Sequence, residues 1–118
     1  MIPNDAQLAE RYYEAWNSGD LDKILALYAD DVEFASPYIA ALGFTPDGVL
    51  HGKSLLRLYF EKAMERAPGL TFTPEALFVG TRGHTLLYRN HRGERVAENH
   101  EIDALGLIVR AEATYETF

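Results

Sequence analysis

Apolar positions early in the chain recur with a helical period. Leu8, Tyr12 and Trp16 fall every four residues, with Ala9 and Tyr13 beside them, which predicts a helix from Asp5 to Trp16. Asn17-Ser18-Gly19 ends it, because glycine takes the left-handed C-terminal position with little strain. Asp20 reads as the N-cap of a second helix whose apolar face is Leu21, Ile24, Leu25 and Tyr28. A third helix is expected from about Lys53 to Ala67. Its buried stripe is Leu55, Leu56, Tyr59, Phe60, Ala63 and Met64, and Pro68-Gly69 stops it.

Elsewhere the period changes to two. Val32, Phe34 and Ser36 share one side of a short strand, and Glu33 and Ala35 share the other. Tyr38 to Leu50 is too broken by glycine and proline for one long element and too apolar for an exposed loop. Its first part, Tyr38 to Phe44, is expected to form a wall or lid at a pocket mouth. The second half reads as sheet: Leu70–Val79, His84–Asn90, Arg95–Ala104 and Leu107–Thr117, with reversals between them. Pro74 marks an edge or a bulge. On the last strand Leu107, Val109, Ala111, Ala113 and Tyr115 share one side. Short connections imply antiparallel neighbours. Helices first and a meander after is an α+β arrangement, with the helices on one sheet face.

Length and composition narrow the classes. A chain of 118 residues, 47% hydrophobic and 25% charged, suits one globular domain over 1–118. The absence of cysteine excludes disulfides, a cysteine nucleophile and thiolate metal sites. The net charge of -7, with no basic stripe, argues against nucleic acid as a partner. No run approaches the ~18 apolar residues of a membrane span, and Met1-Ile2-Pro3-Asn4-Asp5 lacks the start of a secretory signal. A cytoplasmic protein without membrane contact is the expectation.

Candidate chemistry rests on few residues. His51, His84, His91 and His100 form no HExxH pattern, and no glycine-rich phosphate loop is present, so neither metal nor cofactor is expected. His51 and His100 could still meet in space beside a carboxylate. Glu98 and His100 lie two apart on a strand, on the side that carries Val96 and Ile102. Burying a carboxylate and an imidazole is costly unless they pair or line a cavity. Paired, they can serve as general acid and base, or they can be a satisfied polar patch in the core or at an interface. Tyr12 can donate to a substrate oxygen or pack in the core, and Trp16 fits core or pocket wall. Ser36 ends its strand on the Val32-Phe34 side and has no base adjacent in sequence.

Arg11-Tyr12-Tyr13-Glu14-Ala15-Trp16-Asn17-Ser18-Gly19-Asp20-Leu21-Asp22, then Leu27-Tyr28-Ala29-Asp30-Asp31-Val32-Glu33-Phe34 and Pro37, resembles the opening of the SnoaL-like branch of the nuclear transport factor 2-like (NTF2-like) superfamily. His51-Gly52-Lys53 and Leu107-Ile108-Val109-Arg110 extend the resemblance. It implies a cone: three N-terminal helices packed on a curved, mostly antiparallel sheet around a pocket, often dimeric through the sheet. Ketosteroid isomerases of this superfamily carry a tyrosine on the first helix, which falls on Tyr12. Their aspartate base falls on Ser36 and their late-strand acid near His100, so the donor is kept and the base is lost. Polyketide cyclases use an aspartate with histidine help, for which Glu98 or His100 offers a comparable group.

The resulting expectation is a pocket for a small apolar, oxygenated molecule. Tyr12, Glu98 and His100 would be catalytic, and Trp16, Phe34, Ser36, Tyr38, Phe60 and Ile102 would line it. The activity would be cofactor-free isomerisation, cyclisation or dehydration; the alternative is a non-catalytic ligand-binding or protein-interaction module. A homodimer is expected through the outer sheet face, with Val79, Leu87 and Ile108 turned away from the pocket.

Overall fold

Asn4 opens the first helix with a reciprocal cap in the computed structural model, which describes residues 3–118. Its side chain accepts from the Gln7 amide at 2.9 Å, and the Gln7 side chain accepts from the Asn4 amide at 3.0 Å. Helix α1 (Asp5–Ser18) closes at Gly19, whose φ of 71° is the left-handed cap the sequence implied. Asp20 caps α2 (Leu21–Leu25) by accepting from the amides of Asp22 and Lys23. There follow β1 (Tyr28–Ala35), α3 (Pro37–Ala41), β2 (Val49–His51), α4 (Lys53–Arg66), β3 (Thr73–Val79), β4 (Gly83–Arg89), β5 (Arg95–Ile102) and β6 (Ile108–Tyr115). The strands form one curved, unclosed sheet in the order β2-β1-β6-β5-β4-β3. Only β1 and β6 run parallel; the other neighbours are antiparallel. The helices pack on one face, the expected α+β cone.

Six local expectations change. Tyr28 does not extend α2 but starts β1, opposite Ile108. It is fully buried, with its ring 5.6 Å from Phe60. The segment after Ser36 begins with a short helix, α3, which Ser36 caps and Pro37 initiates. On α4 the buried stripe is Leu56, Tyr59 and Phe60, while Leu55 is exposed. Ile108 does not face outward: it is in the core, and Leu107 and Val109 are half-buried. The reason is a register shift between Glu101 and Ile102, which lets Ile108 and Ala111 both point inward although they are three apart. Ile102, beside that shift, is half-buried against the core. Val79 does not face outward either: it lies opposite the inward His84, on the inner-face side, and is exposed because β3 is an edge strand.

Pro74 fulfils both of its readings. β3 is an edge strand, and its register slips between Pro74 and Ala76. Asn17 fixes the approach to that strand. Its amide donates to the Phe72 carbonyl at 3.0 Å, and its carbonyl accepts from the Phe72 amide at 2.7 Å. Phe72 is thereby held against Tyr88 and Trp16, with ring centroids 4.3 and 5.2 Å away. Among the described residues no helix is long and apolar enough to cross a membrane.

Candidate functional site

A cavity of about 330 Å³ lies between the helices and the inner sheet face. Trp16, Phe34, Tyr59, Phe60 and Phe72 make its aromatic wall. Tyr38 and Leu42, from and just after α3, wall one side, so the Tyr38–Phe44 segment does border the cavity.

Glu98 is the acidic group at the inner end. Sheet register explains its setting. On β5, Val96, Glu98 and His100 face inward, and Ala113 and Ala111 of β6 lie opposite Glu98 and His100. Those small side chains leave room for polar groups on an otherwise apolar face. Tyr12 of α1 donates to Glu98 Oε2 at 2.7 Å, and Tyr88 of β4 donates to Oε1 at 2.8 Å. His100 Nε2 lies 2.7 Å from Oε2. Burial alone would push the Glu98 carboxyl up. The hydrogen bond and charge of His100, then the two hydroxyls, outweigh burial and hold it below its ordinary value. Burial and the Glu98 charge push the Tyr12 and Tyr88 hydroxyls well up, so both remain donors.

Two further polar groups border the cavity. Ser36 lies near Tyr59, whose hydroxyl burial pushes up to about 12 while Ser36 pulls the other way. At the mouth the Tyr38 hydroxyl lies 3.3 Å from Arg92 Nη2 and 3.3 Å from Glu94 Oε2. Arg66 and His91 complete that rim.

Of the residues expected at the site, Tyr12, Trp16, Phe34, Ser36, Tyr38, Phe60 and Glu98 line the cavity; His100 and Ile102 do not. His100 stands behind Glu98, its ring 4.9 Å from that of Tyr12. His51 never meets His100. It is exposed on β2, 3.9 Å from Glu33, with β1 and β6 between it and β5. His100 meets His84 instead, 3.3 Å away. Phe72, Tyr88 and His84 were not anticipated. The signal for the last two was present, since His84, Leu86 and Tyr88 alternate on a predicted strand, but their partners depend on register.

A family model for the SnoaL-like domain matches residues 9–110. The chain belongs to the SnoaL-like family. This SnoaL-like domain is 32% identical to a SnoaL-like protein of unknown function from Burkholderia thailandensis. The TM-score is 0.87, over 94% of this chain and 93% of that one. A protein named as a candidate ketosteroid isomerase, from Kribbella flavida, is 17% identical with a TM-score of 0.71, over 95% and 77% of the two chains. A protein named as a candidate polyketide cyclase, from Sinorhizobium meliloti, is 14% identical with a TM-score of 0.74, over 92% and 94%. The last two likenesses concern the fold alone. Among curated protein sequences none matches this chain. The chemistry of the SnoaL-like domain therefore rests on its own side chains.

Proposed function

We propose that this SnoaL-like domain binds a small hydrophobic, carbonyl-bearing molecule and moves protons on it without a cofactor, as an isomerase, cyclase or dehydratase does. One observation carries the reading: a carboxylate at the inner end of an aromatic cavity, held by two tyrosine hydroxyls and an imidazole. A tyrosine beside a carboxylate can hand its hydroxyl hydrogen to a substrate oxygen as negative charge develops there. The carboxylate can take a proton from the carbon next to that carbonyl. The aromatic walls exclude water and favour a flat or cyclic apolar ligand. In this reading Tyr12, Tyr88 and Glu98 touch the substrate and His100 acts through Glu98.

Ser36 cannot replace the aspartate base of the ketosteroid isomerases. Its hydroxyl accepts from the Tyr38 amide and has no base of its own. A binding module is the second reading, favoured by the full engagement of both Glu98 oxygens by protein donors. We further infer a cytoplasmic homodimer using the outer sheet face, where Phe78 of β3, opposite Thr85, is 58% exposed. Sedimentation at high micromolar concentration tests the dimer, and a monomer there counts against it.

Proton exchange separates enzyme from binder before any natural substrate is known. Cyclic ketones and enones that raise the melting temperature are incubated with the protein in deuterium oxide. Deuterium entry beside the carbonyl is then followed by NMR. Wild type is expected to accelerate it, and Glu98→Gln to lose ~10²–10⁴-fold of the rate while retaining binding. Binding without exchange in wild type would make the domain a binder.

A further inference from the structure

The hydrogen bonds behind Glu98 do not stop at His100. His100 Nδ1 lies 3.3 Å from His84 Nε2, and His84 Nδ1 lies 2.9 Å from Asp5 Oδ1. Register sets His84 directly opposite His100 on β4 and β5. The inward stripe of α1 delivers Asp5 to the same place, because Asp5, Ala9, Tyr12 and Trp16 recur at four- and three-residue steps. Asp5 is also the first residue of that helix, where the dipole favours a carboxylate. The Glu98, His100 and His84 side chains are 3%, 1% and 1% exposed, whereas that of Asp5 is 34% exposed. The line therefore runs from solvent at the start of α1 to the inner end of the cavity.

Counting protons shows what such a line does. Ionised carboxylates only accept. Asp5 thus takes an N–H from His84 Nδ1, and Glu98 takes one from His100 Nε2. The two facing nitrogens then need one proton between them. With none, two lone pairs oppose each other in a dry site; with two, two N–H groups do. Three protons on four ring nitrogens satisfy every contact, so the two rings share one positive charge. Burial pushes His84 down against the opposing pull of Asp5.

The same three protons satisfy a second arrangement. The His100 Nε2–H bond breaks and a Glu98 O–H bond forms. The imidazolium and carboxylate charges cancel, and the new acid donates back to Nε2. No hydrogen bond is lost.

We propose that Asp5, His84 and His100 are a proton relay that switches Glu98 between carboxylate and carboxylic acid and reloads it from solvent at Asp5. The relay rests on the acid/base reading of the cavity, and its three members are positioning residues that act through Glu98. The other titratable groups facing it are Tyr12 and Tyr13 of α1, Tyr28 of β1 and Tyr88 of β4. Burial, then the Glu98 charge, pushes all four hydroxyls up, so they stay neutral. Gly83 keeps the two histidine strands close, since a Cβ there would run into the His100 carbonyl oxygen.

Nitrogen-15 NMR of the histidine rings in the whole chain tests the relay without a substrate. Both rings are expected to change together as the shared proton is lost toward alkaline pH. Asp5→Asn keeps an accepting oxygen but removes the charge, and should bring that change down by ~1 pH unit at both rings. Two independent transitions in wild type, or a His100 ring indifferent to Asp5→Asn, would overturn the relay. In the ketone exchange assay Asp5→Asn should lower the rate ~10-fold with binding unchanged. Absence of exchange in wild type would defeat the acid/base reading, and the ring resonances would still decide the relay.

Discussion

Glu98 and Glu94 lie four residues apart in one hairpin, and each accepts hydrogen bonds from tyrosine. Glu98 takes Tyr12, Tyr88 and His100 at the inner end of the cavity. Glu94 takes Tyr38, Asn90 and Arg92 at its mouth. The partner chemistry is similar; the solvent is not. The Glu98 side chain is 3% exposed and that of Glu94 25%, with Arg92 at 60%. At the mouth, water can replace any partner that leaves. At the inner end nothing can, so each donor there is indispensable to the others and the proton inventory is fixed. Hydrogen-bond count alone would rank the two carboxylates together, and burial separates them.

The comparison breaks most directly by deletion at the inner end. Glu98→Ala leaves the donors of His100, Tyr12 and Tyr88 without an acceptor, and should cost ~3–5 kcal/mol. Glu98→Gln retains one accepting oxygen and should cost ~1–3 kcal/mol. Urea unfolding with tryptophan fluorescence, from Trp16, reads both. An alanine variant as stable as wild type would show that the inner end admits water as the mouth does.

Gly83→Ala comes next, because it disturbs the same chain through the backbone. The added methyl group meets the His100 carbonyl oxygen and the Glu101 backbone. Strands β4 and β5 must part slightly, at ~1–3 kcal/mol. A lower melting temperature together with shifted His84 and His100 resonances is the expected result. A lower melting temperature with unchanged histidines would detach the strand contact from the relay.

Acid should read out the inner end in a pH series. The folded state holds the carboxyl of Glu98 below its ordinary 4.5 and His84 below its ordinary 6.5. Both groups therefore bind protons less readily folded than unfolded. Each contributes stability that is present above its unfolded value and lost as pH falls toward its folded one. Unfolding free energy should decline first below pH 6.5, as a fourth proton enters the histidine pair, and again below 4.5. His84→Gln should remove the upper decline and leave the lower. A curve flat from 6.5 to 4.5 would contradict the assignment of His84.

How much of this was legible in the sequence follows the range of the interactions. Alternation placed Val32, Phe34 and Ser36 on one face and Glu98 beside His100, and Pro74 announced its edge strand and bulge. These are local, set by the period of a single element. What escaped was set between elements. Asp5, His84 and Tyr88 reach Glu98 and His100 only through helix placement and strand register, which no single-strand pattern encodes. Ile108 was misplaced because a bulge changes which parity faces inward. Tyr28 was assigned to α2 because the helical pattern outlasts the helix, whose five residues give way to a strand that pairs Tyr28 with Ile108.

The smallest effect belongs to the mouth. Glu94→Ala removes an acceptor from Tyr38, Asn90 and Arg92, yet all three keep access to water or to one another. Arg92 Nη2 still lies 3.3 Å from the Tyr38 hydroxyl. The ion pair of Glu94 with Arg92, 3.4 Å apart and largely solvated, is worth ~0–1 kcal/mol. The variant should therefore unfold within about 1 kcal/mol of wild type, and the difference should vanish in high salt, where exposed pairs are screened. Its histidine resonances should be those of wild type, since the β4–β5 register that sets His84 opposite His100 does not depend on the turn carboxylate. A loss comparable to that of Glu98→Ala, insensitive to salt, would mean that the mouth cluster is as dry as the inner end and that burial does not separate the two carboxylates.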